Sequence, residues 1–212
     1  MSAGPADAPR RVAVVLFDGF TVLDVYGPVQ AFAAARAPAA EGGRRWFEIL
    51  TLAESPGPVR SGDGPATHAE HALGDPPPFD ILLIPGGFGT RQAVDDPRLI
   101  AALAAASGRA AITATVCTGA ALLARTGRLD DRPATSNKLA WDWVVAQGPR
   151  VRWRRHARWV DDGDVLTSSG VSAGIDMALA LIARECGRAL ALTAARNMEY
   201  VWRDDPDDDP FA

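Results

Sequence analysis

Residues 110–125 read AAITATVCTGAALLAR, and the change of character at Cys117 decides the fold. Up to Val116 the residues are small, apolar or β-branched, the make-up of a strand buried on both faces of a parallel sheet. From Ala120 onward, small residues and paired leucines are poor continuations of a strand and read as a helix. A buried strand that breaks at once into a helix presents the residue at the break above the end of the sheet. That residue is Cys117.

The same rhythm extends in both directions. Residues 11–17 (RVAVVLF) form an apolar run closed by Asp18-Gly19, helical spacing follows over 22–36, and residues 46–52 are strand-like again. Pro and Gly break the stretch 54–78 repeatedly, which predicts short strands with room for a small hairpin. Residues 79–84 are a further buried strand cut by Pro85-Gly86-Gly87, and 97–106 form a helix with Pro97 at its first position. Beyond the elbow, 141–146 reads as helix, 151–159 and 164–167 as strands, and 172–185 and 188–200 as helices. Strands alternating with helices predict a three-layer α/β/α sandwich on a mostly parallel, flavodoxin-like sheet, with a nucleophile elbow at Cys117. One domain is expected over 11–202, between a loose arm at 1–10 and an acidic tail at 203–212.

Composition narrows the function classes. With 48% apolar and 23% charged residues, the 212-residue chain can bury an ordinary core without metals or disulfides. A net charge of −4 lacks the basic footprint of a nucleic-acid binder. The arginines at 150, 152, 154, 155 and 158, interleaved with Trp153 and Trp159, read as a solvated strand face. No apolar run is long enough to span a membrane, the first ten residues lack the apolar stretch of a signal peptide, and only Cys117 and Cys186 occur. These features predict a cytoplasmic protein with no membrane and no nucleic-acid partner.

Several residues could carry chemistry. Cys117, beside a helix N-terminus, is expected to lose its proton easily; the plain alternative is a buried thiol packing as a small hydrophobe. Gly86, Gly87 and Phe88 follow a strand expected to neighbour that of Cys117. The N–H of Thr118 with that of Gly87 or Phe88 could then meet developing negative charge, although a tight turn alone also explains the glycines. Asp24 interrupts an apolar helix, where it is either a first-turn carboxylate suited to the helix dipole or, beside a thiol, a proton carrier of raised pKa. His68, His71 and His156 follow no ligand spacing, so no metal is expected. Nor is there a phosphate loop or dinucleotide fingerprint, and Cys186 reads as a packing residue.

Taken together, VLFDGFTVLDVYGP (15–28), DILLIPGGFGT (80–90), TATVCTGA (113–120), the Thr135-Ser136 step and LTSSGVSAGID (166–176) resemble the ThiJ/PfpI family of the class I glutamine amidotransferase-like superfamily. The similarity covers about residues 11–202 and leans toward the isonitrile-hydratase-like branch. The resemblance implies a cofactor-free enzyme in which Cys117 is the nucleophile, Asp24 the proton carrier and Thr118 an orienting group. Gly86, Gly87 and Phe88 would line the pocket, and Gly170 and Val171 would pack close to the nucleophile. The implied reaction is hydration of an isonitrile to an N-substituted formamide. A glyoxalase or deglycase acting on α-oxoaldehydes, and a cysteine redox sensor or chaperone, are the alternatives. Many relatives carry a histidine just after the Thr135 position, whereas this chain reads Thr135-Ser136-Asn137-Lys138. That departure argues against Cys-His peptidase chemistry. The resemblance also implies a homodimer acting on a small-molecule substrate.

Overall fold

The computed structural model describes residues 8–37 and 42–212. Residues 1–7 of the expected arm therefore lie outside the described residues. Eleven strands and seven helices are found among the described residues: β1 (Arg10–Val15), α1 (Val22–Ala34), β2 (Phe47–Ala53), β3 (Gly57–Arg60), β4 (Ala66–Ala69), β5 (His71–Ala72), β6 (Ile81–Ile84), α2 (Thr90–Ala93), α3 (Pro97–Arg109), β7 (Ile112–Thr115), α4 (Gly119–Arg125), β8 (Pro133–Ala134), α5 (Trp141–Gln147), β9 (Arg152–Trp153), β10 (Trp159–Asp161), β11 (Val165–Ser168), α6 (Ala173–Cys186) and α7 (Arg188–Asn197).

Seven strands form the central sheet in the order β10-β11-β7-β6-β1-β2-β5, every pairing parallel except β10 with β11. The chain runs outward from β1 to β2 and β5, then returns to place β6 and β7 on the other side. The order therefore reverses between β1 and β6, the point where an open α/β sheet leaves a crevice beyond its strand ends. Helices α1, α6 and α7 pack on one face; α3, α4 and α5 pack on the other. The expected three-layer sandwich is what forms.

Burial explains the central strands. Residues 12–15 of β1 and all four residues of β6 and β7 are shut from solvent, as strands covered by helices on both faces must be. Helix α3 starts with Pro97 in its first turn, as expected, and the structure adds a cap: Asp96 accepts from the N–H groups of Arg98 (2.9 Å) and Leu99 (3.3 Å). The Pro/Gly-broken stretch resolves into the antiparallel β3–β4 hairpin and the short edge strand β5.

One expected strand divides. Residues 151–159 give β9, paired with β8 in a separate two-stranded sheet, then a turn, then β10 in the main sheet. Nor are the arginines there all on a solvated face. Arg158 is buried, with Nε and Nη2 donating to Asp176 Oδ2 at 2.8 and 2.5 Å. A charge taken out of water needs such a partner, and Asp176 on α6 lies too far along the chain for local spacing to announce it. The acidic residues beyond 203 also fold back on the body: Pro206 O accepts from Arg158 N at 2.7 Å, and the Asp209 side chain is fully buried.

Candidate active site

Residues from three strand ends meet at the strand-order reversal. Asp24 comes from the first turn of α1 after β1, the Gly86-Gly87 turn follows β6, and Cys117 follows β7. Helix α1 lacks a side-chain cap from Thr21; the Val22 N–H is met instead by Asp63 at 2.8 Å. This fixes the turn that carries Asp24 inward, where its side chain is completely buried.

Cys117 adopts φ +58°, a left-handed conformation that costs a non-glycine residue about 1–3 kcal/mol and persists only where the surroundings enforce it. They do so here. Its N–H lies 3.1 Å from Ser169 O and 3.3 Å from Ser168 O, and its carbonyl accepts from Ser136 Oγ at 2.6 Å. Val171, a β-branched residue, also has positive φ (+42°), and its N–H is directed at the thiol together with that of Thr118 and the Asn137 side chain. Ala140 N donates to Asn137 Oδ1 at 2.8 Å, so Nδ2 is the atom left to face sulfur. A Cβ on Gly170 would fall 2.5 Å from that Nδ2, so glycine keeps the space open.

Asp24 Oδ2 accepts from Gly86 N at 2.9 Å, while Oδ1 has no hydrogen-bond partner of its own and the carboxyl lies against the Cys117 thiol. A Cβ at Gly86 would approach Thr118 N to 2.5 Å and Asp24 Oδ2 to 2.9 Å, so only glycine lets β6, α1 and the elbow meet. Burial raises the Asp24 carboxyl to about 7, against the opposing pull of the Gly86 N–H and the thiol, with Asp63 adding to the rise. Burial also pushes the Cys117 thiol up to about 12, and the Asp24 charge pushes the same way.

This reverses the expectation of an easily ionised thiol. The following helix has only seven residues, and loss of water around sulfur outweighs the N–H groups that point at it. The two groups titrate as a pair. Burial favours the neutral form of both members of that pair, and the charge of either one disfavours ionisation of the other.

The glycine turn also differs in role from what was expected. Gly86 N–H is spent on Asp24 and Gly87 N–H on Thr118 Oγ1 at 2.9 Å, so neither is free for a substrate oxygen. The Thr118 hydroxyl lies in that turn, 3.2 Å from Thr90 Oγ1, and only its N–H addresses the thiol. Phe88 projects outward, 84% exposed, with the Arg91 guanidinium 5.4 Å from its ring centre. Asp24, Cys117, Thr118, Gly86, Gly170 and Val171 therefore converge, Gly87 braces Thr118, and Phe88 stands outside.

Sequence reasoning passed over Asn137 and Ser136 as functional groups. Both sit in the Thr135-Ser136-Asn137 step, where attention to a missing imidazole hid the fact that an amide can also donate to sulfur. Among the described residues no group of three or more His, Cys, Asp or Glu side chains gathers as a metal site. No described helix is long and apolar enough to cross a membrane.

The DJ-1/PfpI family profile matches residues 10–184, a span that contains every residue placed at this site. The chain belongs to the DJ-1/PfpI family. Among curated relatives, isonitrile hydratase of Pseudomonas putida is 26% identical over 191 residues, 90% of this chain and 78% of that protein. The HTH-type transcriptional regulator GbdR of Pseudomonas aeruginosa is 28% identical over 195 residues, and the chain spans about half of its length (51%). Among solved structures, a ThiJ/PfpI family protein from Pseudomonas syringae superposes with a TM-score of 0.80 at 29% identity, covering 96% of this chain and 77% of that one. The chain is thus similar, at comparable identity, to an isonitrile hydratase and to an HTH-type transcriptional regulator.

Proposed function

We propose that this member of the DJ-1/PfpI family is a cofactor-free, cysteine-dependent hydratase that converts a small isonitrile to an N-substituted formamide. The observation that carries the reading is the buried Asp24–Cys117 pair, in which a carboxyl raised to about 7 lies against a thiol that keeps its proton. A thiol that protonated needs a base in contact as it attacks, and the same acid must then deliver the proton.

Isonitrile hydration uses both acts. Sulfur bonds to the terminal carbon of R–N≡C, and the thiol proton passes by way of Asp24 to that carbon, leaving a thioimidate R–N=CH–S. Water adds to the same carbon, its proton moving through Asp24 to nitrogen. The C–S bond then breaks, the hydroxyl proton goes to sulfur, and R–NH–CHO leaves; one water is consumed and no electrons are exchanged. The N–H groups of Thr118 and Val171 and the Asn137 amide steady the sulfur as it takes on charge and later as it departs.

Two features favour this substrate over an α-oxoaldehyde. Cys117 is only 5% exposed, a depth that suits a slim, linear group with its electrophilic carbon at the tip. In addition, Gly86 and Gly87 have no N–H to spare for an alkoxide, whereas addition to an isonitrile places charge on carbon, beside the acid. A peroxide-sensing role is disfavoured on the same chemistry, because oxidation follows thiolate character and exposure, and this thiol has little of either. The homodimer implied by the resemblance is retained as part of the proposal, with light scattering as its check.

The test is to incubate the protein with an alkyl isonitrile beside a Cys117→Ala control and follow formamide by chromatography. Formamide from the wild type alone supports the reading. No formamide, or equal formamide from both proteins, refutes it.

A further inference from the structure

The acidic segment beyond α7 is linked to the elbow through buried Lys138 and the turn that carries Ser136 and Asn137. The Asp209 side chain is completely buried; its Oδ2, which accepts no hydrogen bond, makes an ion-pair contact with Lys138 Nζ at 3.3 Å, and its Oδ1 lies 3.9 Å from Arg158 Nη1. Its N–H donates to His156 O at 3.2 Å. Lys138, also buried, donates to Thr135 Oγ1 (2.8 Å), Ala157 O (2.9 Å) and Ser136 O (3.0 Å) and sits over the Trp141 ring. Arg158 is held in turn by Asp176, whose Oδ1 accepts from Tyr200 OH and Arg203 N at 3.0 Å each.

Two cations and two carboxylates thus balance, and Arg155 is the other charge near Lys138. Lys138 adjoins Asn137, whose amide faces the sulfur, and it clasps Ser136, whose hydroxyl holds the Cys117 carbonyl. Without Asp209, Lys138 would be a buried ammonium with no carboxylate in contact, which must either lose its proton or swing toward water. Either change releases the turn that Lys138 ties together.

We infer that Asp209 is a positioning residue for the nucleophile: through Lys138 it fixes the 135–138 turn and so holds the Asn137 amide against Cys117. The inference rests on Cys117 being the reactive thiol, but not on the identity of the substrate.

The test measures alkylation of Cys117 by iodoacetamide at pH 8 with peptide-resolved mass spectrometry, which separates it from Cys186, and each variant's thermal unfolding verifies that it is folded. Asp209→Asn is expected to slow alkylation about tenfold, the effect of losing one hydrogen bond to a charged sulfur. Asn137→Ala should slow it equally, and the double variant should be no slower than either. Removing a carboxylate without moving Asn137 would favour the thiolate and speed the reaction, so the direction alone discriminates. Lys138→Met with Asp209→Leu, which removes both charges and refills the space, should show the same slowing even if Asp209→Asn fails to fold. Unchanged or faster alkylation, additive slowing in the double variant, or a rate rise for the bulkier N-ethylmaleimide that marks mere opening of the site would each overturn the inference. Equal rates in wild type and variants would overturn this inference alone, whereas equal formamide from wild type and the Cys117→Ala variant would overturn the nucleophile with it.

Discussion

Asp24→Asn should stabilise the protein at neutral pH and above while abolishing turnover. In the folded state burial raises the Asp24 carboxyl from 3.8 to about 7, so between those values the native protein holds a proton that the unfolded chain has released. Stability contributed by this site is complete below pH 4 and drains away as pH rises through about 7. The rise from 3.8 to about 7, at about 1.4 kcal/mol per pH unit, gives a cost of about 4 kcal/mol at pH 8, and coupling to Cys117 brings the expected range to about 2–4 kcal/mol. Asparagine keeps an oxygen for the Gly86 N–H, has nearly the same shape and never ionises. The measurement is urea unfolding of wild type and variant at half-unit steps from pH 4 to 8.5. The variant's advantage should grow from pH 4 to about 7 and then level off. A difference that does not vary with pH, or that shrinks as pH rises, would refute the account of Asp24 as a carboxyl held neutral by burial.

Three further outcomes are expected. Formamide production should rise with pH through about 7 as Asp24 becomes available as a base, and a profile flat from pH 5.5 to 8.5 would count against its role. Gly86→Ala should cost about 1–3 kcal/mol in chemical denaturation and most of the activity, because its Cβ meets backbone and the Asp24 carboxyl rather than a side chain that can move; wild-type stability would show that the turn can give way. Asn137→Ala should lower kcat about tenfold while changing KM little and the melting temperature by only a few degrees, since its amide steadies charge on sulfur; a change confined to KM would assign it to substrate binding instead.

The parts of the fold that were legible in the sequence are those set by continuous burial. The runs behind β1, β6 and β7 read as buried strands because helices on both faces leave no charged position in their buried stretches, and Pro97 marked the start of α3. The 151–159 stretch misled because alternation of Arg and Trp imitates an exposed strand. In the structure that alternation spans two short strands and a turn, and Arg158 is an interior cation whose partner Asp176 lies on α6. Local spacing cannot reveal such a pair, since only tertiary packing brings it together.

The same division runs through the site. Asp24, Gly86 and Cys117 were visible because each breaks a local rule: a charge in an apolar helix, glycines that end a strand, a thiol where a strand turns to helix. The acidity of Cys117 was not visible, because it depends on a competition between local N–H groups, which the sequence implies, and the burial and Asp24 charge that only assembly supplies. Assembly decides it against the thiolate, and this has a chemical consequence. A nucleophile already ionised would be open to any small oxidant, whereas one ionised only as Asp24 accepts its proton becomes reactive in the presence of an electrophile that can use that proton. The strained elbow at Cys117 and the left-handed Val171 are compatible with this economy, since both hold N–H donors in place for a charge that appears only during reaction.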